Sequence, residues 1–179
     1  MGESITRLLE LDVQTTRKLQ IADRPGLLRT IAMICAHSGD SWFWLVSLAV
    51  LWLLGLGNWK SLAFIMILSI LVTATLVMMI KFTVRRQRPE GEWGNIYRKT
   101  DPHSFPSGHA ARAFMLAVLG VGLGPAWFGW ILVVWAPLVI LARVAMGVHY
   151  ISDVLFGALL GIFSGTLILV ILPRLSFLA

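Results

Sequence analysis

Three short clusters hold the side chains of this chain that are best suited to chemistry. The first is Lys81, six residues, then Arg88-Pro89. The second is Pro106-Ser107-Gly108-His109. The third is Arg143, five residues, His149, three residues, Asp153. Together they supply two histidines, one acid to orient an imidazole, three cations and the start of a helix. Cations and backbone N–H groups neutralise phosphate oxygens. One histidine can attack phosphorus while the other protonates the leaving oxygen. This is the inventory for holding and transferring a phosphoryl group.

Each cluster alone also has a structural account. Lys81, Arg85 and Arg88 fall at i, i+4 and i+7, one face of a helix. They form either a cationic wall or a row of snorkelling side chains at a membrane edge. Snorkelling is the better account for Arg85 and Arg86. Ser107 can cap a helix, and Gly108 lets a backbone approach a ligand. Free N–H groups there make an anion site, but a capping Ser near a His is common. His149 and Asp153 are spaced so that, on a helix, the carboxylate takes a ring N–H and fixes the tautomer. A His–Asp pair can also serve structure alone.

The elements that must position these clusters are membrane helices. Hydrophobic residues make up 58% of the chain and charged residues 13%, against about a quarter charged in a soluble domain. Most of its surface therefore faces something other than water. Eight Trp suit membrane interfaces. The net charge of +6 comes from residues between apolar runs, so anionic lipid is the expected partner and nucleic acid is not. Cys35 is the only cysteine, which excludes a disulfide framework. The N-terminal residues lack the order of a signal peptide.

A spanning helix needs about 20 apolar residues. The apolar stretches predict an all-α polytopic bundle with about five transmembrane helices, over 41–57, 60–84, 107–123, 126–147 and 150–172. One domain is expected over 1–179, with an interfacial region at 1–40 and a catalytic core at 41–172. Residues 4–21 read as an amphipathic surface helix, with Ile5, Leu8, Leu9 and Leu19 on one side and Asp12 interrupting it. Residues 27–36 are too few to span and read as an interfacial or re-entrant piece. Gly157, Gly161 and Gly165 permit close helix packing, within the chain or, as the lesser alternative, in a dimer.

The three clusters, in this order and spacing, resemble the signature of the type 2 phosphatidic acid phosphatase superfamily, which includes lipid phosphate phosphatases and vanadium haloperoxidases. That signature is K-x6-R-P, P-S-G-H and S-R-x5-H-x3-D. One departure is Ala142, where the family often has Ser before the arginine. The resemblance implies that Lys81, Arg88 and Arg143 bind phosphate oxygens, with Ser107 and Gly108 adding hydrogen bonds. It implies that His149 forms a phosphohistidine, Asp153 orients it, and His109 protonates the leaving group, with no metal or cofactor. The sequence shows no carboxylate cluster of the kind that holds Mg2+. The expected substrate is a lipid phosphate: phosphatidic acid, phosphatidylglycerol phosphate, a polyprenyl (di)phosphate or lipid A, with a prenyl or diacylglycerol phosphate as default. Phosphotransfer to another acceptor, a non-enzymatic transporter and a haloperoxidase are the alternatives.

Two further readings concern surroundings and side. Arg112 either touches the headgroup or pairs with an acid such as Asp101. The loop 90–105, with Glu90, Glu92, Trp93, Tyr97, Arg98 and Lys99, is expected to overhang the site. With five spans, the N-terminus and the site share a side. Of 15 Lys and Arg, Lys60 and Arg174 alone fall opposite. The positive-inside rule then puts the site on the cytoplasmic face of the inner membrane, whereas many bacterial members of the resembled family act on the outer face.

Overall fold

A computed structural model of the chain describes residues 2–91, 93 and 101–176. Among them are seven helices: α1 (Gly2–Leu19), α2 (Leu27–Ser38), α3 (Ser41–Leu54), α4 (Asn58–Val84), α5 (Gly108–Leu123), α6 (Ala126–Ala145) and α7 (Ile151–Ser176). No strand occurs among the described residues; one isolated bridge joins Gln87 to His103. The fold is the expected all-α bundle. Large apolar side chains such as Leu68, Leu76, Trp130, Leu141, Leu159 and Phe163 are exposed on its outer surface. That surface suits lipid, because a helix satisfies its own backbone there.

The helices lie close to where the apolar runs place them, and three to four of them pass as membrane spans by length and composition. By length and composition α4, α6 and residues 151–172 of α7 can each cross a membrane, and α2 with α3 makes a fourth only as a pair bent by 56°. The 14 residues of α3 reach about 21 Å alone. The 16 residues of α5 reach about 24 Å, short of a bilayer core of about 30 Å. The reason is position. Ala110, Ala111, Ala113, Met115, Leu116 and Leu119 of α5 are fully buried, so α5 is a central core helix rather than one facing lipid along its length.

Small residues set how closely α5 is held. A Cβ on Gly161 would come within 2.2 Å of the Ala111 carbonyl oxygen, and one on Gly157 within 2.5 Å of the Ser107 oxygen. A Cβ on Gly165 would meet Val118 at 2.9 Å. The Gly157/Gly161/Gly165 stripe of α7 therefore packs against α5 of the same chain. A core of Leu62, Met66, Ile70, Leu116, Leu119, Leu132 and Val139 joins α4, α5 and α6.

The amphipathic N-terminal helix forms as expected. It docks through its polar residues: Thr16 is fully buried, and Leu8, Leu9 and Leu19 stay exposed. The side chain of Ile5 lies outside the described residues.

Candidate active site

Five segment ends meet at one end of the bundle, and each arrives for a local reason. Helix α4 stops at Val84 because Arg85 takes a left-handed conformation (φ 53°). Pro89 disfavours helix at Arg88, and residues 86–87 pair instead with 103–104 through the Ser104 N–H to Arg86 carbonyl bond (2.8 Å) and the Gln87–His103 bridge. The single helical face expected for Lys81, Arg85 and Arg88 is thus corrected: Arg88 reaches the site from an irregular segment. Helix α6 ends in a reversal at Gly147 (φ 66°), a conformation that favours glycine. The Val148 N–H closes on the Arg143 carbonyl at 3.2 Å, and His149 follows, 1% exposed. Ser107 caps α5 by accepting the Ala110 N–H at 3.4 Å, as its position predicts. Its own N–H donates to the Asp153 carbonyl at 3.0 Å, which ties the start of α5 to the first turn of α7.

These ends enclose a cavity of about 260 Å³ lined by Lys81, Arg88, Gly108, His109, Arg112, Arg143 and His149. All seven are sequence-identified site residues. Its wall continues away from the charges along Ile70, Ala74, Val77 and Met78 of α4. The cations are almost wholly buried: Lys81 and Arg88 at 2% exposure, Arg143 at 1%. Asp101 lies across two of them. Its Oδ2 accepts from Lys81 Nζ at 2.6 Å and from an Arg88 terminal nitrogen at 2.7 Å. The pairing of Arg112 with Asp101 is therefore corrected; Arg112 instead donates to the Gly39 carbonyl oxygen.

The two histidines are held differently. Arg88 places a terminal nitrogen 3.2 Å from His149 Nε2 and donates to the Val148 carbonyl at 2.9 Å. On the other edge, His149 Nδ1 is 3.6 Å from Asp153 Oδ2, longer than a hydrogen bond. The bond expected from helical spacing is not made, because His149 precedes α7 and Asp153 lies inside its first turn. Asp153 accepts the Tyr150 N–H at 2.9 Å and Arg86 at 2.8 Å. Burial, and then the charges of Arg88, Arg143 and Lys81, push the His149 imidazole well below its ordinary pKa. His109 Nε2 contacts Asp40 Oδ1 at 2.7 Å.

Four acids and bases around the site had no distinct signal in the sequence. Arg86, expected to snorkel, bridges Asp153 and Asp12 of α1, at 2.8 Å to each, and stacks 4.0 Å above the Tyr150 ring centroid. Asp12 also accepts the Ser152 N–H at 3.1 Å, and Thr16 accepts the Ile151 N–H at 3.1 Å. Residues of α1 thus cap the helix that carries Asp153. Asp40 comes from the break between α2 and α3, and Asp101 from the loop expected to overhang the site. In that loop Trp93 packs near Ala36 and Met146, while Glu92, Tyr97, Arg98 and Lys99 lie outside the described residues.

The arrangement offers buried cations, a helix N-terminus and two histidines around a space large enough for a phosphate. The chain is 32% identical over 160 residues to decaprenylphosphoryl-5-phosphoribose phosphatase of Mycobacterium tuberculosis, covering 89% of this chain and 88% of that one. It superposes on the crystal structure of LpxE from Aquifex aeolicus with a TM-score of 0.69 and 28% identity, covering 89% of this chain and 94% of that one. The transmembrane PAP2 type phosphatidylglycerolphosphate phosphatase of Bacillus subtilis has the same fold: TM-score 0.73, 24% identity, 90% of this chain and 84% of that one. Residues 58–177, which span all three clusters, match the family model of the PAP2 superfamily, and the chain belongs to that superfamily.

Proposed function

We propose that this chain is a lipid phosphatase that removes a phosphoryl group from a membrane lipid through a phosphohistidine at His149. The observation that carries the reading is the convergence of Lys81, Arg88, Arg143, His109 and His149 on one cavity with an apolar wall along α4. Charged side chains buried in a membrane bundle are expensive and mark function. An apolar stripe running from Lys81 back to Ile70 spans about 16 Å of helix, room for the first part of a lipid tail.

In the proposed reaction the substrate phosphate displaces the Asp101 carboxylate from Lys81 and Arg88. The three cations and the backbone of Gly108 neutralise its oxygens. His149 Nε2 attacks phosphorus, the phosphorus–oxygen bond to the lipid breaks, and His109 gives its proton to the leaving oxygen. Asp153, held by Arg86 and the Tyr150 N–H, faces His149 Nδ1 and stabilises the charge that develops on the ring. Water then attacks the phosphohistidine, His109 takes its proton, and inorganic phosphate leaves. No metal enters these steps.

The substrate class is a phosphomonoester or diphosphate on a prenyl or diacylglycerol lipid. The relative named for decaprenylphosphoryl-5-phosphoribose favours a polyprenyl-linked phosphate within that class. Release of inorganic phosphate from a panel of lipid phosphates by purified protein tests the reading. We expect turnover on at least one lipid, its abolition in His149→Ala, and no effect of EDTA. Release that survives in His149→Ala would remove the covalent mechanism, and loss with EDTA would remove the metal-free one.

A further inference from the structure

We propose that Asp40 is the positioning carboxylate of His109, delivered by the break between α2 and α3. This proposal rests on the phosphatase reading above. It adds to the machinery a segment outside residues 58–177, the part that matches the family model.

Asp40 stands at the N-cap position of α3, where an aspartate ordinarily accepts a backbone N–H of the first turn. It makes no such bond. Both of its oxygens go to histidines: Oδ1 to His109 Nε2 at 2.7 Å and Oδ2 to His37 Nδ1 at 3.1 Å. The helix thus forgoes its side-chain cap, and the carboxylate faces the site. The backbone around it is fitted to this contact. A Cβ on Gly39 would lie 2.9 Å from Val139 Cγ1 and 3.2 Å from His109 Cδ2, so the break approaches the ring only because residue 39 has no side chain. Arg112, one turn beyond His109, fixes the same break by donating to the Gly39 carbonyl.

Chemistry gives the contact its purpose. As general acid His109 must carry a proton before the leaving oxygen departs. Arg112 and Arg143 line the same cavity and repel a second positive charge there. Asp40 supplies the opposing negative charge and accepts the Nε2 proton, which leaves Nδ1 to face the leaving oxygen. The Nδ1 proton goes to the lipid alkoxide as the phosphorus–oxygen bond breaks, and the attacking water returns one to Nδ1 in the second step. His37, on the solvent side with 44% of its side chain exposed, holds the second oxygen and sets the plane of the carboxylate.

The test compares two phosphate esters presented in detergent, an alkyl phosphate and a nitrophenyl phosphate. An alkoxide needs a proton to leave; a nitrophenolate does not. The quantity read is kcat/KM, which covers the steps through phosphohistidine formation. For Asp40→Asn we expect a loss of about 100-fold on the alkyl ester and less than about threefold on the aryl ester. A merely structural role would lower both alike. Equal losses on the two esters, or no loss on the alkyl ester, would overturn the proposal. If Asp40→Asn does not fold, Gly39→Ala, which pushes the break away from His109, is read by the same ratio with the same outcomes. Wild-type protein that hydrolyses neither ester, or does so no better than His149→Ala, would instead remove the phosphatase reading, and the proposal with it.

Discussion

His149 can attack phosphorus only while its ring is unprotonated, and its surroundings keep it so. Burial and the adjacent Arg88, Arg143 and Lys81 all lower its affinity for a proton. The acid limb of the kcat/KM profile that belongs to His149 therefore lies below pH 6.5. Removing one neighbouring positive charge raises the ring's pKa, so in Arg88→Gln the limb of the residual activity moves up towards 6.5. A limb that does not move, or moves down, would contradict this electrostatic account; substrate titration is common to both proteins and cancels in the comparison. Asp101 makes a second case. Its carboxylate pairs with Lys81 and Arg88, so substrate must compete with it. Asp101→Ala is expected to lower KM and to tighten inhibition by inorganic phosphate, by about tenfold for one lost ion-pair competitor in a buried site. Unchanged phosphate inhibition would mean that the contact does not oppose binding. The cations and histidines that line the cavity were legible in the sequence because each has a fixed neighbour in a short motif. Asp40, Arg86 and Asp12 were not, because what distinguishes them is a partner at least 65 positions away. A single acid in a polar break and one arginine in a basic run look ordinary until the chain folds.

At the scale of elements, the site depends on α5 and α7 being pressed together. The Ser107–Asp153 backbone bond joins the helix start that bears His109 to the turn that follows His149. Gly161 allows that approach against the Ala111 carbonyl. Gly161→Leu forces the helices apart and costs about 3 kcal/mol or more through overpacking. A fall in melting temperature together with loss of turnover is expected; wild-type behaviour in both would show that the interface tolerates bulk. Helix α1 is a second positioning element. Asp12 and Thr16 cap α7, and Asp12 holds the same Arg86 that holds Asp153. Asp12→Ala should lower kcat about tenfold with little change in KM, since it touches the orientation of Asp153 rather than the cations. A rise in KM alone would argue against that role. The helices were legible from length and apolar runs, and so was the amphipathic character of α1; its docking on α7 through Asp12 and Thr16 was not. The depth of each helix was not, because periodicity does not report that α5 sits inside the bundle or that α2 and α3 meet at a bend of 56°. Length in residues fixes what a helix can reach, and packing decides whether it must.

For the whole molecule the open quantity is its side. Helix α1 packs on the end of the bundle that holds the site, and α7 runs from that end to the other, so the N-terminal helix and the site share a face whichever count of spans is used. Among the described residues, Lys60 and Arg174 alone of the Lys and Arg lie towards the opposite end in the chain's alternating course; with Lys81, Arg88 and Arg143 set aside for the proposed phosphate binding, Arg7, Arg17, Lys18, Arg24, Arg29, Arg85, Arg86 and Arg112 remain on the side of the site. Their weight in topology comes from the cytoplasmic retention of short basic segments. The residues of α1 add to it: Arg7, Arg17 and Lys18 accompany the exposed Leu8, Leu9 and Leu19, a composition suited to a helix lying on an anionic leaflet. We propose that the site faces the cytoplasm. Glu90 is exposed beside the site, and the chain has one native cysteine, Cys35. In a Cys35→Ala background, Glu90→Cys should resist an impermeant thiol reagent in intact cells and react once the membrane is permeabilised. Labelling in intact cells would place the site outside, and these basic residues would then have to be held there against the retention rule by the bundle's own ion pairs.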